Sequence, residues 1–207
     1  MTGWELGALL IAWGLAGGSP GPATLTIAGT AMARGRAAGV VSGAGIVSGS
    51  AAWGLASALG MGALMLAHGW VFMALKIIGA LYLGYLALKS LRSACTPRAL
   101  QDRAPLKGGL RRVYAKSVAI HLTNPKAILA WGAIYAIALP AGAPLSAVLL
   151  LFAQLLAVSC VVFIGYGLLF STPRIVAAYR RARRWFEGGF AVMFGAASVK
   201  ILTTEAV

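Results

Sequence analysis

The amino-acid sequence predicts an all-α integral membrane protein whose six transmembrane helices form two inverted three-helix repeats. The composition, the apolar stretches and the placement of basic residues predict this class. Of the 207 residues, 60% are hydrophobic, and the mean hydropathy is +0.85. A soluble domain of this length cannot bury so much apolar surface, so lipid must cover the excess. The 27 glycines fit the same class, because small residues let membrane helices approach closely.

Six apolar stretches are long enough to cross a bilayer, which takes about 20 residues for a hydrocarbon core roughly 30 Å thick. The first has no basic segment before it and is interpreted as a span rather than a cleaved signal peptide. Together the spans predict a first repeat over residues 1–89, a basic loop over 90–114 and a second repeat over 115–207. The predicted spans are Trp4 to Met32, Gly39 to Ala67, Trp70 to Leu88, Ala115 to Leu139, Leu145 to Phe170 and Trp185 to Thr203.

The basic residues predict how the chain is oriented. Fifteen of the eighteen Lys and Arg lie in the loops after spans one, three and five or, for Lys116, at the edge of such a loop, and the loops after spans two and four have none. Short cytoplasmic loops of membrane proteins carry such an excess, so both termini are predicted outside the inner membrane of a bacterium. The net charge of +14 therefore reflects membrane orientation and does not indicate a nucleic-acid partner.

Prolines interrupt spans one and four at corresponding places in the two halves. Such breaks leave backbone groups unpaired, which a membrane tolerates only beside protein or a water-filled cavity. Helix ends of this kind offer N–H groups to anions and carbonyls to cations, which suits a zwitterionic amino acid. Simple proline kinks are the alternative. The predicted substrate-binding residues are Ser19, Pro20, Gly21, Pro22, Asn124, Pro125 and Lys126.

Charged and titratable residues inside the spans are further candidates. Lys126 can bind a substrate carboxylate, or be a structural or snorkelling lysine. His121 lies one turn before Asn124 and can line the same cavity and carry a proton; a simply hydrogen-bonded histidine is the alternative. Lys76 and Glu187 occupy matching positions 111 residues apart. Inverted topology places them on opposite sides, so they are predicted to be gates or interfacial anchors rather than an ion pair.

No cofactor, metal site or enzyme chemistry is predicted. The two cysteines, Cys95 and Cys160, and the two histidines are scattered along the chain, with no metal-ligand spacing and no constellation of nucleophile and base. Two alternatives to an amino-acid transporter stay open: an exporter of another small solute or ion, and a non-transporting membrane scaffold.

Three segments resemble the LysE/RhtB family of bacterial amino-acid exporters, and the resemblance covers essentially the whole chain. They are SPGPATLTIAGTAMARGRAAGVVSGAGIVSG, ALKIIGALYLGYLALKSLR and AKSVAIHLTNPKAILAW. The most specific parts are PGP at Pro20 to Pro22 with Arg34 and Gly35 downstream, the run from Leu75 to Leu83, and TNPKA from Thr123 to Ala127.

The resemblance implies export of amino acids or related small metabolites from the cytoplasm, driven by the proton gradient, by a chain that forms a homodimer. This sequence departs from the family at Ser50, where many members carry an acidic residue in span two. An ammonium-binding or proton-carrying carboxylate is therefore missing there. Ser50 is accordingly a candidate for a change in substrate or coupling.

Overall fold

The computed structural model describes residues 3–67, 69–96, 106–140 and 142–203, and describes the backbone alone at residues 61–67, 69–76, 79, 125, 197, 200 and 201. Within these ranges the chain forms seven α-helices and no strand, which confirms the all-helical prediction. The helices are α1 (Gly3–Gly18), α2 (Pro22–Ala67), α3 (Gly69–Cys95), α4 (Leu110–Leu122), α5 (Pro125–Ala138), α6 (Leu145–Leu169) and α7 (Pro173–Thr203).

The connection between the first two predicted spans is shorter than the predicted loop. It consists of Gly35, which is non-helical within α2, with φ +80° and ψ −177°. This region of backbone space strains residues that carry a Cβ, and glycine enters it freely. The helix is therefore kinked at one residue, where a loop containing Arg34 and Arg36 is predicted.

The basic segment before span six is helical, and its prediction as a loop is wrong. α7 begins at Pro173, twelve residues before the predicted start at Trp185. Proline suits the first position of a helix, because its missing N–H has no intrahelical partner there. The alanines and arginines that follow are strong helix formers. A search for long apolar stretches misses this extension, because its basic residues lower the mean hydropathy.

Apolar length and outward-facing apolar side chains agree with a membrane protein. Among the described helices, Pro22–Gly60 and Leu145–Leu169 are long and apolar enough to cross a bilayer, with mean hydropathies of 1.3 and 2.8. The second extends over roughly 37 Å at 1.5 Å per residue. Leu150 and Val161 on α6 are 62% and 75% exposed, as lipid-facing residues are. The arrangement of six spans in two inverted repeats stays a prediction.

The chain divides into two compact units, and each takes segments from both halves of the sequence. Unit 1 comprises Met1–Ala52, Arg98–Asn124 and Gln154–Arg183, and unit 2 comprises Trp53–Pro97, Pro125–Ala153 and Arg184–Val207.

Unit 1 is built on a close crossing of α2 and α6. A Cβ added to Gly167 would lie 2.6 Å from backbone atoms of Gly39, and one added to Gly43 would lie 2.5 Å from the carbonyl oxygen of Phe163. Small residues thus allow the two backbones to touch, as in other membrane helix pairs. Around the crossing lies a buried apolar cluster of Ala23, Ile27, Ile46 and Phe163.

Unit 2 packs α3 against α5 and α7. The Ser198 hydroxyl of α7 donates to the Ala80 carbonyl of α3 over 2.7 Å, and the same serine fills the space beside Gly84. A small polar residue therefore holds the α3 and α7 backbones together, because a hydroxyl bonded to a carbonyl leaves no polar group exposed to lipid.

Candidate functional site

The first helix break is closed by side-chain hydroxyls. α1 ends at Gly18 and α2 begins at Pro22. The Thr24 hydroxyl accepts the Gly21 N–H over 3.0 Å and lies 3.2 Å from the Ser19 carbonyl oxygen, to which it can donate. These bonds satisfy groups that a helix start leaves without an intrahelical partner. The predicted break is thus present, and its Gly21 N–H and Ser19 carbonyl groups are bound within the protein.

Tyr166 of α6 supports the other side of this break. Its hydroxyl donates to the Gly18 carbonyl, at the last residue of α1. The Tyr166 ring stacks on Phe170, with centroids 5.0 Å apart, and Phe170 meets the ring of Tyr179 edge to face at the same distance. This aromatic row connects the end of α1 to the first turns of α7.

A pocket opens beside the break within unit 1. Its enclosed space is small, about that of one water molecule, and it is partly open to the outside. Its lining is aliphatic and aromatic, with hydroxyl groups from one threonine and two tyrosines, and none of these side chains is charged. The lining residues are Pro20, Thr24, Leu25, Ala28, Met32, Tyr166, Phe170 and Tyr179.

The second break separates α4, which ends at Leu122, from α5, which begins at Pro125. Its two intervening residues differ in exposure. The exposed Thr123 bonds back to its own helix, with the hydroxyl donating to the Ala119 carbonyl over 2.9 Å. Asn124 is only 4% exposed. The chain therefore buries an amide at the point where the helix is interrupted.

Phe163 of α6 connects the surroundings of both breaks within unit 1. It packs in the core against Ile27, which follows the first break, and a Cβ on Gly17 would lie 3.8 Å from its ring. The same ring meets the imidazole of His121 at a centroid distance of 5.7 Å. Since His121 precedes the second break by one turn, α6 lies against both interrupted segments.

His121 and Ser50 are both buried in this unit. A Cβ on Gly49 would lie 2.8 Å from the Cβ of His121, so α2 and α4 approach closely at the residue before Ser50. His121 is 4% exposed and Ser50 is 2% exposed. Of the predicted residues, unit 1 thus holds the first break, Ser50, His121 and Asn124.

Pro125, Lys126 and Glu187 belong to unit 2. The half-buried Lys126, the second residue of α5, interacts electrostatically with Glu187 of α7 and Lys89 of α3. The Glu187 carboxylate is 3% exposed and accepts a hydrogen bond of 2.9 Å from the Ser93 hydroxyl. The side chain of Lys76 lies outside the part of the chain that the structure describes.

Several residues around the two helix breaks and around Glu187 were not predicted from the sequence. Thr24, Phe163 and Tyr166 have no motif of their own, because only the fold brings α6 to the breaks. The sequence does show that Lys89 and Ser93 share one face of α3, because they lie four residues apart. Among the described residues, no group of three or more His, Cys, Asp and Glu side chains is placed to hold a metal ion.

Comparison with known proteins gives the following matches. The family model described as LysE type translocator matches residues 17–205. The threonine efflux protein of Escherichia coli K12 is 26% identical over 191 residues, which cover 90% of this chain and 92% of that protein. An uncharacterized membrane protein of Pseudomonas aeruginosa is 31% identical over 192 residues, covering 89% and 88%. No solved structure matches the chain.

Proposed function

Since the chain belongs to the LysE type translocator family and is a membrane transporter rather than an enzyme, we propose that it exports small neutral amino acids from the bacterial cytoplasm. The family and its threonine efflux relatives support an exporter of amino acids or similar small solutes. The restriction to neutral side chains is our own inference. It leads to threonine as the first substrate to test.

The observation that carries the proposal is the buried amide at the second helix break. Asn124 is 4% exposed between the end of α4 and the start of α5. A polar side chain at an interrupted membrane helix is costly, and such groups mark the substrate paths of transporters. An amide both donates and accepts hydrogen bonds, so it can serve either charged group of a zwitterion.

The pocket beside the first break supports a neutral side chain on the substrate. Its lining has hydroxyl, aliphatic and aromatic groups and no charge. If the pocket opens to admit substrate during transport, a lysine or glutamate side chain entering it would lose its hydration without gaining a counter-ion, which is strongly unfavourable. We propose that Pro20 takes part in binding through this pocket, because the backbone groups on either side of it are bound within the protein.

The transport cycle proposed here is alternating access driven by the proton gradient across the inner membrane. The segments that carry Arg and Lys face the cytoplasm in this proposal, and both termini lie outside. Broken helices suit such a cycle, because short helix segments can move at the break while their packed neighbours stay in place. Homodimer formation stays a prediction.

Counterflow in proteoliposomes tests the proposal. Vesicles containing purified protein are loaded with unlabelled L-threonine, and uptake of labelled L-threonine from outside is followed for wild type, Asn124→Ala and Thr123→Ala. The matched control is the exposed neighbour at the same break. Asn124→Ala is expected to lower the initial uptake rate about tenfold, as loss of a buried hydrogen bond to a charged group does, and Thr123→Ala to change it less than about twofold.

A panel of other amino acids extends the same assay to the substrate class. Small neutral amino acids inside the vesicles are expected to support uptake, and lysine and glutamate are expected not to. Wild-type protein that exchanges no amino acid would contradict the proposed function. Equal losses in Asn124→Ala and Thr123→Ala would remove Asn124 from the site while leaving the transport activity in place.

A further inference from the structure

Three segments that carry basic residues meet within unit 1. Arg34, next to the kink of α2 at Gly35, donates from its Nη1 to the Leu106 carbonyl over 2.7 Å, in the segment that leads into α4. The first turns of α7 pack through Val176 against a buried cluster that includes Ala31 of α2. The kink of α2, the start of α4 and the start of α7 are therefore neighbours.

Each of the three segments presents exposed cations. We name the eight exposed side chains the basic face, and they are Arg34, Arg36, Lys107, Arg111, Arg112, Arg174, Arg180 and Arg181. All except the lysine are arginines, whose planar guanidinium groups match the oxygen geometry of a phosphate. The face is thus rich in the side chain that binds phosphate groups with two parallel hydrogen bonds.

Carboxylates of unit 1 do not balance this charge. Glu5 is the one acidic residue among the described residues of the unit, and it lies in the first turn of α1, at the far end of the first predicted span. Asp102 lies outside the described residues and would set one carboxylate against eight cations. Like charges concentrated in this way repel one another, and bound anions would offset the repulsion.

We propose that the basic face binds the phosphate groups of anionic phospholipids in one leaflet of the membrane. Each of its three segments adjoins a predicted span, and the distribution of basic residues predicts all three on the same side of the bilayer, at the level of the head groups. Clusters of about four to eight Lys and Arg beside membrane helices are typical of anionic-lipid sites. The inference goes beyond amino-acid export, because its ligand is a component of the bilayer.

Packed helices hold several of these cations in place. Arg180 directly follows Tyr179, whose ring meets that of Phe170 edge to face at a centroid distance of 5.0 Å. Arg112 directly precedes Val113, which is fully buried on the inner side of α4. Cations fixed in this way lose little conformational freedom when an anion binds, which favours binding. A lipid that connects the three segments should also stabilise the fold of unit 1.

Thermal unfolding of the full-length protein in a neutral detergent tests this inference. The probe is dioleoyl phosphatidylglycerol, and dioleoyl phosphatidylcholine, with the same chains and no net charge, is the control lipid. A ligand of the folded state raises the melting temperature, so phosphatidylglycerol is expected to raise it by several degrees more than phosphatidylcholine does. Salt at about 0.5 M is expected to remove most of this difference, because it screens exposed charges.

A triple variant removes one cation from each segment, by Arg36→Gln, Arg111→Gln and Arg180→Gln. Each basic residue near a membrane surface contributes about fivefold in affinity, so the half-saturating concentration of phosphatidylglycerol is expected to rise about 100-fold. The matched control is Arg92→Gln, which changes an exposed arginine in the last turn of α3, in unit 2. Its titration is expected to differ from wild type by less than about twofold.

Equal stabilisation of wild type by the two lipids overturns the inference, and so does a triple variant that keeps the wild-type titration. An equal loss in Arg92→Gln would also overturn it, since any surface arginine would then serve. If inorganic phosphate stabilises wild type as much as phosphatidylglycerol does, the face binds a soluble anion and the lipid is excluded. Should the triple variant fail to fold, Arg180→Gln alone takes its place, with an expected shift of about fivefold. None of these results depends on threonine transport, so a failure here leaves the proposed function untouched.

Discussion

The two helix breaks share one sequence signature, a proline after a small polar residue, and differ in what surrounds them. At the first break, Thr24 and Tyr166 bind the backbone groups on either side. At the second, Thr123 closes its own helix, Asn124 is buried, and Lys126 follows two residues later. The prolines thus predict where a membrane helix is interrupted, and neighbouring side chains decide what the interruption does.

The two breaks also differ in the charged residues beside them. The pocket beside the first break has an uncharged lining, whereas Lys126 follows the second break in the sequence. We therefore expect substitutions near the first break to lower stability, and substitutions after the second to lower transport while the protein stays folded. Four substitutions test this difference, taken from the largest expected effect to the smallest.

The largest effect is expected for Lys126→Met. Methionine keeps much of the side-chain volume and removes the charge, which interacts electrostatically with Glu187. We predict that Lys126 binds the substrate carboxylate, and truncating one member of a close charge pair costs several kcal/mol, so threonine counterflow should fall roughly 100-fold. The control is Lys116→Met, an exposed lysine of α4. Normal transport by Lys126→Met would remove the functional distinction between the breaks.

A second effect is expected at the helix crossing that supports the first break. In Gly43→Ala the new Cβ would lie 2.5 Å from the Phe163 carbonyl oxygen, so the α2 and α6 backbones must move apart. Overpacking of this kind costs about 1–3 kcal/mol. Gly165→Ala on α6 is the control, because no atom lies within 4 Å of its added Cβ. Thermal unfolding in detergent compares them, and equal melting temperatures would contradict the close crossing.

Much of the fold follows from the sequence, because its signals are local. Apolar length predicts the helices, and Ser19 to Pro22 and Asn124 to Lys126 predict the breaks, since a proline's effect on its own backbone does not depend on distant residues. The helical start of α7 at Pro173 is missed for the opposite reason. Its arginines favour helix but lower the hydropathy that identifies a span.

The site was harder to predict, because it depends on contacts between distant segments. The sequence predicts that Glu187 is a gate or an interfacial anchor, and this role stays a prediction. The structure adds an electrostatic interaction between Glu187 and Lys126, which lies 61 residues away in the chain. No spacing rule connects these positions, since helix packing in unit 2 brings them together. The hydrogen bond between Tyr166 and the Gly18 carbonyl likewise follows from helix packing and from no sequence spacing.

A smaller effect is expected from Thr24→Val, which keeps the shape of the side chain and removes the hydroxyl. The buried Gly21 N–H then loses its acceptor. Removing a helix-start acceptor costs about 1–2 kcal/mol, so thermal stability in detergent should fall. Thr123→Val makes the same change at the exposed residue of the second break and should cost less than about 0.5 kcal/mol. Equal destabilisation by the two variants would show that the breaks are supported alike.

The smallest effect is expected from Tyr166→Phe. The change removes one hydroxyl and keeps the ring that stacks on Phe170. The Gly18 carbonyl at the end of α1 loses a donor, which costs about 1 kcal/mol for a neutral hydrogen bond. Tyr85→Phe, at a 56% exposed tyrosine of α3, is the control and should leave the melting temperature unchanged. If Tyr166→Phe instead lowers counterflow at unchanged stability, this hydroxyl serves transport directly, and the first break is a binding element like the second.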